Sequence, residues 1–321
     1  MMIVPATPSA ATPLAEAAIV GVDWGTTQRR VVALDARGEV LRELGDDQGM
    51  LAASGRFAAS LAAVLRSIGP LAANAPVVLS GMVGSAQGWH DVPYLDCSVS
   101  LHDLGARLFR VPDAPDAVDC SIVPGYRWQG VDGAVDVMRG EETQLFGAIA
   151  LGARDGWFVL PGTHSKWVRL RDGRIERFAT YMTGELFALL SRYGTLASVL
   201  RDAVDDDAAF ARGLRAAARG ALSNSLFGCR AKVVTGALAA ASARDYLSGV
   251  LIGSEWHDAL ARRAGDGVPL RVIGTASLAR RYARAGAVLG FDVITMDARA
   301  VQLAALSALQ TSIGLRSVNR L

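Results

Sequence analysis

Residues Ile19 to Leu34 read IVGVDWGTTQRRVVAL, and the fold is decided there. Ile19 to Asp23 is a short apolar run of the kind that forms a buried strand, and it leads directly into the turn Trp24-Gly25-Thr26-Thr27. A second strand, Arg30 to Leu34, leaves that turn at once. Asp35-Ala36-Arg37-Gly38 then has hairpin-turn chemistry and leads to a third strand, Glu39 to Leu44. One glycine-threonine turn thus opens a meander of antiparallel strands.

Outward from this stretch the pattern becomes α/β. Ser54 to Ile68 is an amphipathic helix, with Phe57, Leu61, Val64, Leu65 and Ile68 on one stripe and Gly69-Pro70 ending it. Pro76 to Ser80 is a parallel-type strand, and Gly81 to Leu101 is too rich in glycine and aromatics for a regular element, so it reads as a binding loop. Ser121 to Tyr126 is a further strand and Glu141 to Leu151 a helix. The pattern then restarts. Trp157 to Leu160 ends in Pro161-Gly162-Thr163-His164-Ser165, and the strands Lys166 to Leu170 and Ile175 to Thr180 flank the turn Arg171-Asp172-Gly173-Arg174. Helices fill about residues 183 to 263, followed by the strand Leu270 to Gly274, a helix from Ser277, the strand Phe291 to Met296 and a helix from Ala298. Hairpin, helix, strand, helix, strand occurs twice, which predicts a first domain over 19–152 and a second over 153–321.

Composition narrows the function classes. At 321 residues and 51% hydrophobic content the chain can bury a large core. Its 33 basic and 31 acidic residues are interspersed, so a net charge of +2 offers no block suited to nucleic acid or to an anionic membrane. Cys97, Cys120 and Cys229 are odd in number and outside any CxxC spacing, suggesting neither a disulfide framework nor a zinc site; the expected compartment is reducing and cytoplasmic. Residues 1 to 18 lack a basic leading region and carry Pro5, Pro8 and Pro13, so they read as a mobile extension and not as a signal peptide. No run approaches the roughly 18 apolar residues of a membrane span. Lys166 and Lys232 are the only lysines, and one kept against a drift toward arginine draws notice because arginine is no substitute for a compact point charge.

The chemistry gathers at the two strand turns. Small residues there leave backbone N–H groups free to approach phosphate oxygens, and threonine hydroxyls add donors. Gly25, Thr26, Thr27 and Arg30 form one candidate phosphate set and Gly162, Thr163, His164 and Ser165 the other, expected to face each other across a cleft that closes on its substrates. Neither GxxxxGK[ST] nor GxGxxG occurs. Asp23 ends a buried strand, where a carboxylate is costly without a cation or donors; it suits a magnesium ion held through water and phosphates, or else an Asx-type cap. Lys166 can act as a point charge on a transferring group or an anionic substrate. Glu141 and Glu142 open a helix, where the macrodipole favours acids in any protein, but phosphoryl transfer to a hydroxyl wants a carboxylate, and Glu142 is the candidate base. Gly274-Thr275 joins a strand to a helix, a geometry in which backbone can lie against a nucleotide. Met82, Ser85, Gln87, Trp89 and Glu141 are the candidates for the substrate side, and Asp205-Asp206-Asp207 reads as a helix cap.

Together these strings resemble the 2-dehydro-3-deoxygalactonokinase family. The order Asp23-Trp24-Gly25-Thr26-Thr27, Gly81-Met82-Val83-Gly84-Ser85, Met138-Arg139-Gly140-Glu141-Glu142, Pro161-Gly162-Thr163-His164-Ser165-Lys166-Trp167 and Met182-Thr183-Gly184-Glu185-Leu186 carries the resemblance. Tyr246 to Gly253 and Gly274 to Leu278 extend it, so that it spans about residues 19 to 310. The resemblance implies two ribonuclease H-like domains of the actin-like ATPase superfamily. It also implies ATP and magnesium as cofactors, and phosphorylation of the 6-hydroxyl of 2-dehydro-3-deoxy-D-galactonate in galactonate catabolism. Gln28, where the family more often has asparagine, and Met296-Asp297-Ala298, in place of a more glycine-rich turn, depart from the pattern.

Two other readings compete. A polyphosphate or nucleotide phosphatase of the same superfamily would share the Glu-Glu helix start, but a long polyanion calls for a basic channel in place of Trp89 and Tyr94. A non-catalytic ATP-driven switch would need a partner surface or an added domain. The expected partners are a small sugar acid and ATP, and a homodimer is left open.

Overall fold

The structure, a computed structural model, describes residues 16–72, 74–115, 118–200, 204–263 and 267–318. β1 (Ile19–Trp24), β2 (Arg29–Leu34) and β3 (Val40–Asp46) pair antiparallel, as the opening stretch requires. In the β2–β3 turn the Asp35 carboxylate accepts the N–H groups of Arg37 and Glu39 at 2.8 and 2.9 Å, and Gly38 takes φ +83°. After α1 (Met50–Ala53) and α2 (Phe57–Ile68) the chain lays β4 (Val77–Ser80) parallel to β1. With β6 (Phe109–Arg110) and β7 (Cys120–Ile122), and with β5 (Leu95–Asp96) going elsewhere, the sheet order is β3-β2-β1-β4-β7-β6. The α2 stripe of Phe57, Leu61, Val64, Leu65 and Ile68 packs on Val20, Val22, Val31, Val77 and Leu79 of this sheet.

The second sheet repeats the plan. β8 (Tyr126–Gln129), β9 (Val135–Met138) and α3 (Glu141–Ala150) precede the meander β10 (Gly156–Leu160), β11 (Ser165–Arg171) and β12 (Arg174–Tyr181). Its turn holds Asp172 at φ +46° and Gly173 at φ +68°, the pair of positive values that a two-residue primed hairpin demands. Helices α4 (Thr183–Arg192), α5 (Gly194–Ala197), α6 (Asp207–Ala217), α7 (Leu222–Val234) and α8 (Ala243–Arg263) follow. β13 (Leu270–Gly274), α9 (Ala276–Leu289), β14 (Val293–Asp297) and α10 (Ala298–Val318) complete the chain. The order β12-β11-β10-β13-β14, with β13 parallel to β10 and β14 parallel to β13, matches β3-β2-β1-β4-β7 strand for strand. Both are mixed sheets of an α/β fold. Helices α6 and α8 cross with backbones touching: a Cβ on Gly213 would fall 2.2 Å from the Tyr246 carbonyl oxygen, and one on Gly249 2.1 Å from that of Phe210.

The packing boundary differs from the expected break near residue 152. One compact unit takes the chain up to Pro93, Gly105–Pro124 and everything from Leu306; the other takes Tyr94–Leu104 and Gly125–Ala305. The reason is a three-stranded sheet, β5-β8-β9, that belongs with the second unit and that the sequence reading had as loop and as one strand over 121–126. The expected mobile extension over 1–18 is corrected at its end. Ala17 is buried and bridges Leu71, and the Ala18 N–H donates to the Leu34 carbonyl at 2.8 Å. Residues 1–15 lie outside the described residues.

Candidate active site

In the first unit the turn after β1 is built to expose donors. Trp24 is fully buried and its indole donates to the Gln48 carbonyl at 2.8 Å, which pins the strand end. The Gly25 and Thr26 carbonyls are taken up by the Met50 and Leu51 N–H groups at 2.8 and 3.1 Å, where α1 starts. Thr26 and Thr27 are exposed, and their own N–H groups have no acceptor among the described residues. Gly49 lies flat beneath the turn, because a Cβ there would sit 2.3 Å from the Thr27 carbonyl carbon. Carbonyls are spent behind the loop and amides face outward, the polarity that a phosphate needs.

Asp23 sits half-buried at the carboxyl end of β1, in register with Ser80 at the end of the parallel β4. Gly81 follows with φ +88°, and a Cβ on it would lie 3.0 Å from the Trp24 carbonyl oxygen and 3.3 Å from the Asp23 Oδ1. The bare Cα keeps space beside the carboxylate at the strand-end edge where open α/β sheets bind ligands. Arg30 is exposed, whereas Arg29 is buried against Asp46 at 2.6 Å. Of the expected substrate residues, Gln87 is exposed, Met82 packs partly on the core and the Ser85 hydroxyl donates to the Met82 carbonyl at 2.7 Å. Trp89 is a correction. Its indole N–H donates to Asp113 at 2.9 Å, and its ring is stacked with Phe57 on one contact and His90 on another, at centroid distances of 6.1 and 5.8 Å. The ring is engaged as a packing element and has no hydrogen bond left to give a substrate.

The second unit repeats the device. Gly162, Thr163 and His164 are exposed, and their N–H groups have no acceptor among the described residues, while the Thr163 carbonyl accepts the Glu185 N–H at 3.0 Å. Gly184 occupies the place that Gly49 holds in the first unit: a Cβ on it would fall 2.2 Å from the Gly162 carbonyl oxygen. His164 pairs with Glu185 at 2.6 Å. The Ser165 side chain is a second correction, because it points into the core and donates to Glu255 at 2.7 Å. Glu255 is almost fully buried and also accepts from Trp167 Nε1 at 2.7 Å, Thr183 Oγ1 at 2.5 Å and the Tyr282 hydroxyl at 2.8 Å. Burial pushes its carboxyl pKa up, and these donors pull against that rise.

Lys166 is nearly buried, with Nζ 3.2 Å from the Glu141 carboxylate and 3.4 Å from the His164 carbonyl. The other oxygen of Glu141 accepts the Arg139 N–H at 3.1 Å. Glu142 is the third correction. It is 0% exposed and accepts from the Gly140 N–H at 2.7 Å and the Thr143 hydroxyl at 3.1 Å. Burial, reinforced by the neighbouring Glu141 charge, pushes its carboxyl up to about 8, so it holds its proton at neutral pH and presents no atom to a substrate. Glu141, not Glu142, is the member of the pair that meets Lys166.

A cavity of about 410 Å³ opens beside the second loop. Pro161 and Gly162 line one side, Phe187, Leu251 and Ile252 give it apolar walls, and Ser277 and Leu278 stand at the start of α9. Gly274 makes the junction, since a Cβ on it would lie 3.2 Å from Pro161 Cγ. The structure thus brings Gly162 and the α9 start to one cavity, with Gly274 packed behind Pro161 and Thr275 as N-cap of α9.

Residues 23–309 match the family model described as 2-keto-3-deoxy-galactonokinase. The chain belongs to that family. A protein of Rhizobium meliloti named a probable 2-dehydro-3-deoxygalactonokinase is 40% identical over 300 residues, which is 89% of this chain and 94% of that protein. The 2-dehydro-3-deoxygalactonokinase of Escherichia coli is 36% identical over 277 residues, 85% of this chain and 91% of its own. A crystal structure of a protein from Sinorhizobium meliloti assigned to the same kinase type superposes with a TM-score of 0.84 at 37% identity, covering 92% of this chain and 96% of that one. Among the described residues no helix is long and apolar enough to cross a membrane.

Within this kinase family frame, sequence reasoning missed the α8 wall of the cavity and the Glu255 network. The string Tyr246 to Gly253 carried the resemblance but gave no role, because a helix of mixed small and apolar residues shows no exposed chemistry. The described residues contain no cluster of three or more His, Cys, Asp or Glu that would cage a metal. Asp23, half-buried beside a glycine-only space, fits magnesium, which keeps several waters and binds through one or two carboxylates plus substrate phosphates.

Proposed function

We propose that the chain is an ATP-dependent kinase that phosphorylates the 6-hydroxyl of 2-dehydro-3-deoxy-D-galactonate. The observation that carries this reading is the doubled loop: two turns at corresponding strand ends, each with outward amides and each braced from behind by a glycine at 49 or 184. Together with the strand order shared by both sheets, it supports a pair of ribonuclease H-like domains of the actin-like ATPase type. Gly25, Thr26 and Thr27 then hold phosphate oxygens in the first unit, with Arg30 exposed nearby, and Gly162, Thr163 and His164 do so in the second.

Asp23 would hold the magnesium ion, which when bound neutralises charge on the phosphates. The 410 Å³ cavity takes the adenosine, its base against Leu251, Ile252 and Leu278 and its ribose and phosphates toward Gly274, Thr275 and Gly162. Lys166 supplies a fixed positive charge, oriented by Glu141, for the transferring group or the sugar acid's carboxylate. The proton acceptor in this reading is Glu141, whose side chain keeps 22% of its surface exposed, with Glu142 supporting it from the interior. Ser85 and Gln87 are the polar residues left to read the substrate's hydroxyls, and Met82 supplies apolar surface.

A coupled assay of ADP release tests the reading. ATP turnover should require 2-dehydro-3-deoxy-D-galactonate and magnesium, and titration with the gluconate-derived epimer measures the stereochemical preference. Turnover of polyphosphate, or of ATP with no sugar acid present, at an equal rate would replace the kinase by a hydrolase.

A further inference from the structure

Away from the loops, a second cavity of about 450 Å³ lies between α6, α7 and α8 in the second unit. Its lining includes Arg212, Arg215, Arg219 and Lys232, and none of its lining residues is acidic. The whole chain carries 33 basic and 31 acidic residues, so four cations around one cavity exceed its net charge of +2. One of them is one of the chain's two lysines.

The arrangement is built, not scattered. Arg212, Arg215 and Arg219 recur at helical spacing along one face of α6 and the turn that ends it. Like charges three and four apart repel on a helix surface, and the favourable helix C-terminus accounts at best for Arg215 and Arg219. Lys232 reaches the same cavity from α7. All four are exposed, and their side chains form no ion pair among the described residues. Of the acids that open α6, Asp206 accepts the Ala209 N–H at 2.8 Å as the helix cap and feels the Arg212 charge only as a minor influence, and Asp207 pairs with Arg284.

The floor adds polar donors. Tyr246 is 2% exposed and lines the cavity, bringing a phenol to its floor. Burial, with the nearby Cys229, raises that phenol's pKa, and Arg212 and Arg219, which line the same cavity, act in the opposite sense. Ser225, also buried, and the exposed Asn224 add a hydroxyl and an amide. Guanidinium forks suit phosphate and carboxylate oxygens, and a cavity of this size lies within the range that holds a small metabolite.

We propose that this cavity is a binding site for a small phosphorylated organic anion, one carrying a phosphate dianion and a second acidic group. It is distinct from the nucleotide cavity. Asp245 and Ser248 of α8 line that one, whereas Tyr246, about 100° further round the same helix, lines this one. The four cations converge on one cavity, a footprint suited to a small molecule.

Isothermal titration of the full-length chain tests this, with a non-hydrolysable ATP analogue and magnesium present to occupy the phosphate loops. The probes are 3-phosphoglycerate, inorganic phosphate and citrate, compared on the wild type, on Arg215→Gln/Arg219→Gln and on Lys232→Gln. The wild type should bind 3-phosphoglycerate, more weakly as salt rises. The double variant should lose about a hundredfold in affinity, from two charged hydrogen-bonding groups at roughly tenfold each. Lys232→Gln should lose about tenfold, with all variants keeping the wild-type melting temperature because the substituted side chains are exposed. Weaker binding of inorganic phosphate and citrate than of 3-phosphoglycerate would assign the site to an organic phosphate. Equal or tighter binding of either would overturn that assignment. Binding of 3-phosphoglycerate that the variants leave unchanged would overturn the site itself, as would variant-sensitive binding of a single-stranded oligonucleotide or of phosphatidylserine vesicles with none of 3-phosphoglycerate.

Discussion

Removing the Glu255 carboxylate is the sharpest test of how the second loop is held. One buried side chain satisfies donors from β11, α4 and α9 at once, through Ser165, Trp167, Thr183 and Tyr282. In Glu255→Ala the three hydroxyls can turn toward other acceptors, but the Trp167 indole N–H, on a side chain 1% exposed, cannot. An orphaned buried donor costs about 1–3 kcal/mol, so the lost network and the space left behind amount to on the order of 4–6 kcal/mol. That is a large part of the roughly 5–15 kcal/mol by which a native protein is stable. Glu255→Gln behaves differently. Its carbonyl can keep Ser165 and Trp167, and its amide can donate to the Thr183 and Tyr282 oxygens, so the loss should be about 1 kcal/mol. Urea unfolding followed by tryptophan fluorescence reads both, because Trp167 stacks edge-on to Trp256 at 5.1 Å in this unit's core. A Glu255→Ala protein within about 1 kcal/mol of wild type, or a Glu255→Gln protein as unstable as Glu255→Ala, would refute the network as the support of the loop.

Other consequences are equally concrete. Asp23→Asn should cut turnover by about 10²- to 10³-fold while the melting temperature holds, and a folded variant with near-normal kcat would remove the magnesium role. Gly184→Ala drives a Cβ into the Gly162 carbonyl, so the KM for ATP should rise several-fold with the sugar-acid KM little changed; equal rises in both would show a general loss of structure. Glu142 titrates near 8 when folded and near its ordinary value of 4.5 when unfolded, so between those pH values the native state holds a proton that the unfolded chain has released. Stability should therefore fall as pH rises through that window, by at most about 1.4 kcal/mol per pH unit, and Glu142→Gln should flatten the slope. Urea midpoints for both proteins at pH 5 and pH 8 check this, and parallel slopes would contradict the burial of an unpaired carboxyl.

What was legible in the sequence is what local rules determine. The meanders follow from apolar runs broken by Asp35 to Gly38 and Arg171 to Arg174, where positive backbone angles leave little choice of residue. The loops were legible because glycine and threonine between strands have few other uses. The β5-β8-β9 sheet was not, since β5 is two residues long and pairs in parallel with a strand some thirty positions away, a register no periodicity announces. Ser165 shows a similar limit: alternation along β11 puts Ser165 and Trp167 on the face that meets Glu255, so a serine that looked like a phosphate ligand belongs to the core. Trp89 looked like a sugar platform for want of any sign that Phe57, His90 and Asp113 would surround it.

The glycines explain why one plan serves twice with so little shared sequence. A loop that must offer amides outward has to hide its carbonyls behind it, and they are hidden only if another backbone comes within reach. Gly49 does this beneath Thr27 and Gly184 beneath Gly162, in each case at a distance no side chain would tolerate. The following N–H groups, Met50 and Leu51 in one unit and Glu185 in the other, then take the carbonyls. The chemistry at the tips is free to differ, with Asp23 beside one loop and Lys166 beside the other, because the Gly25, Thr26 and Thr163 carbonyls are held by backbone N–H groups and not by these side chains. Variation at Gly49 or Gly184 should consequently damage nucleotide affinity more than variation at Thr26 or Thr163, whose side chains are exposed and whose backbone amides survive substitution.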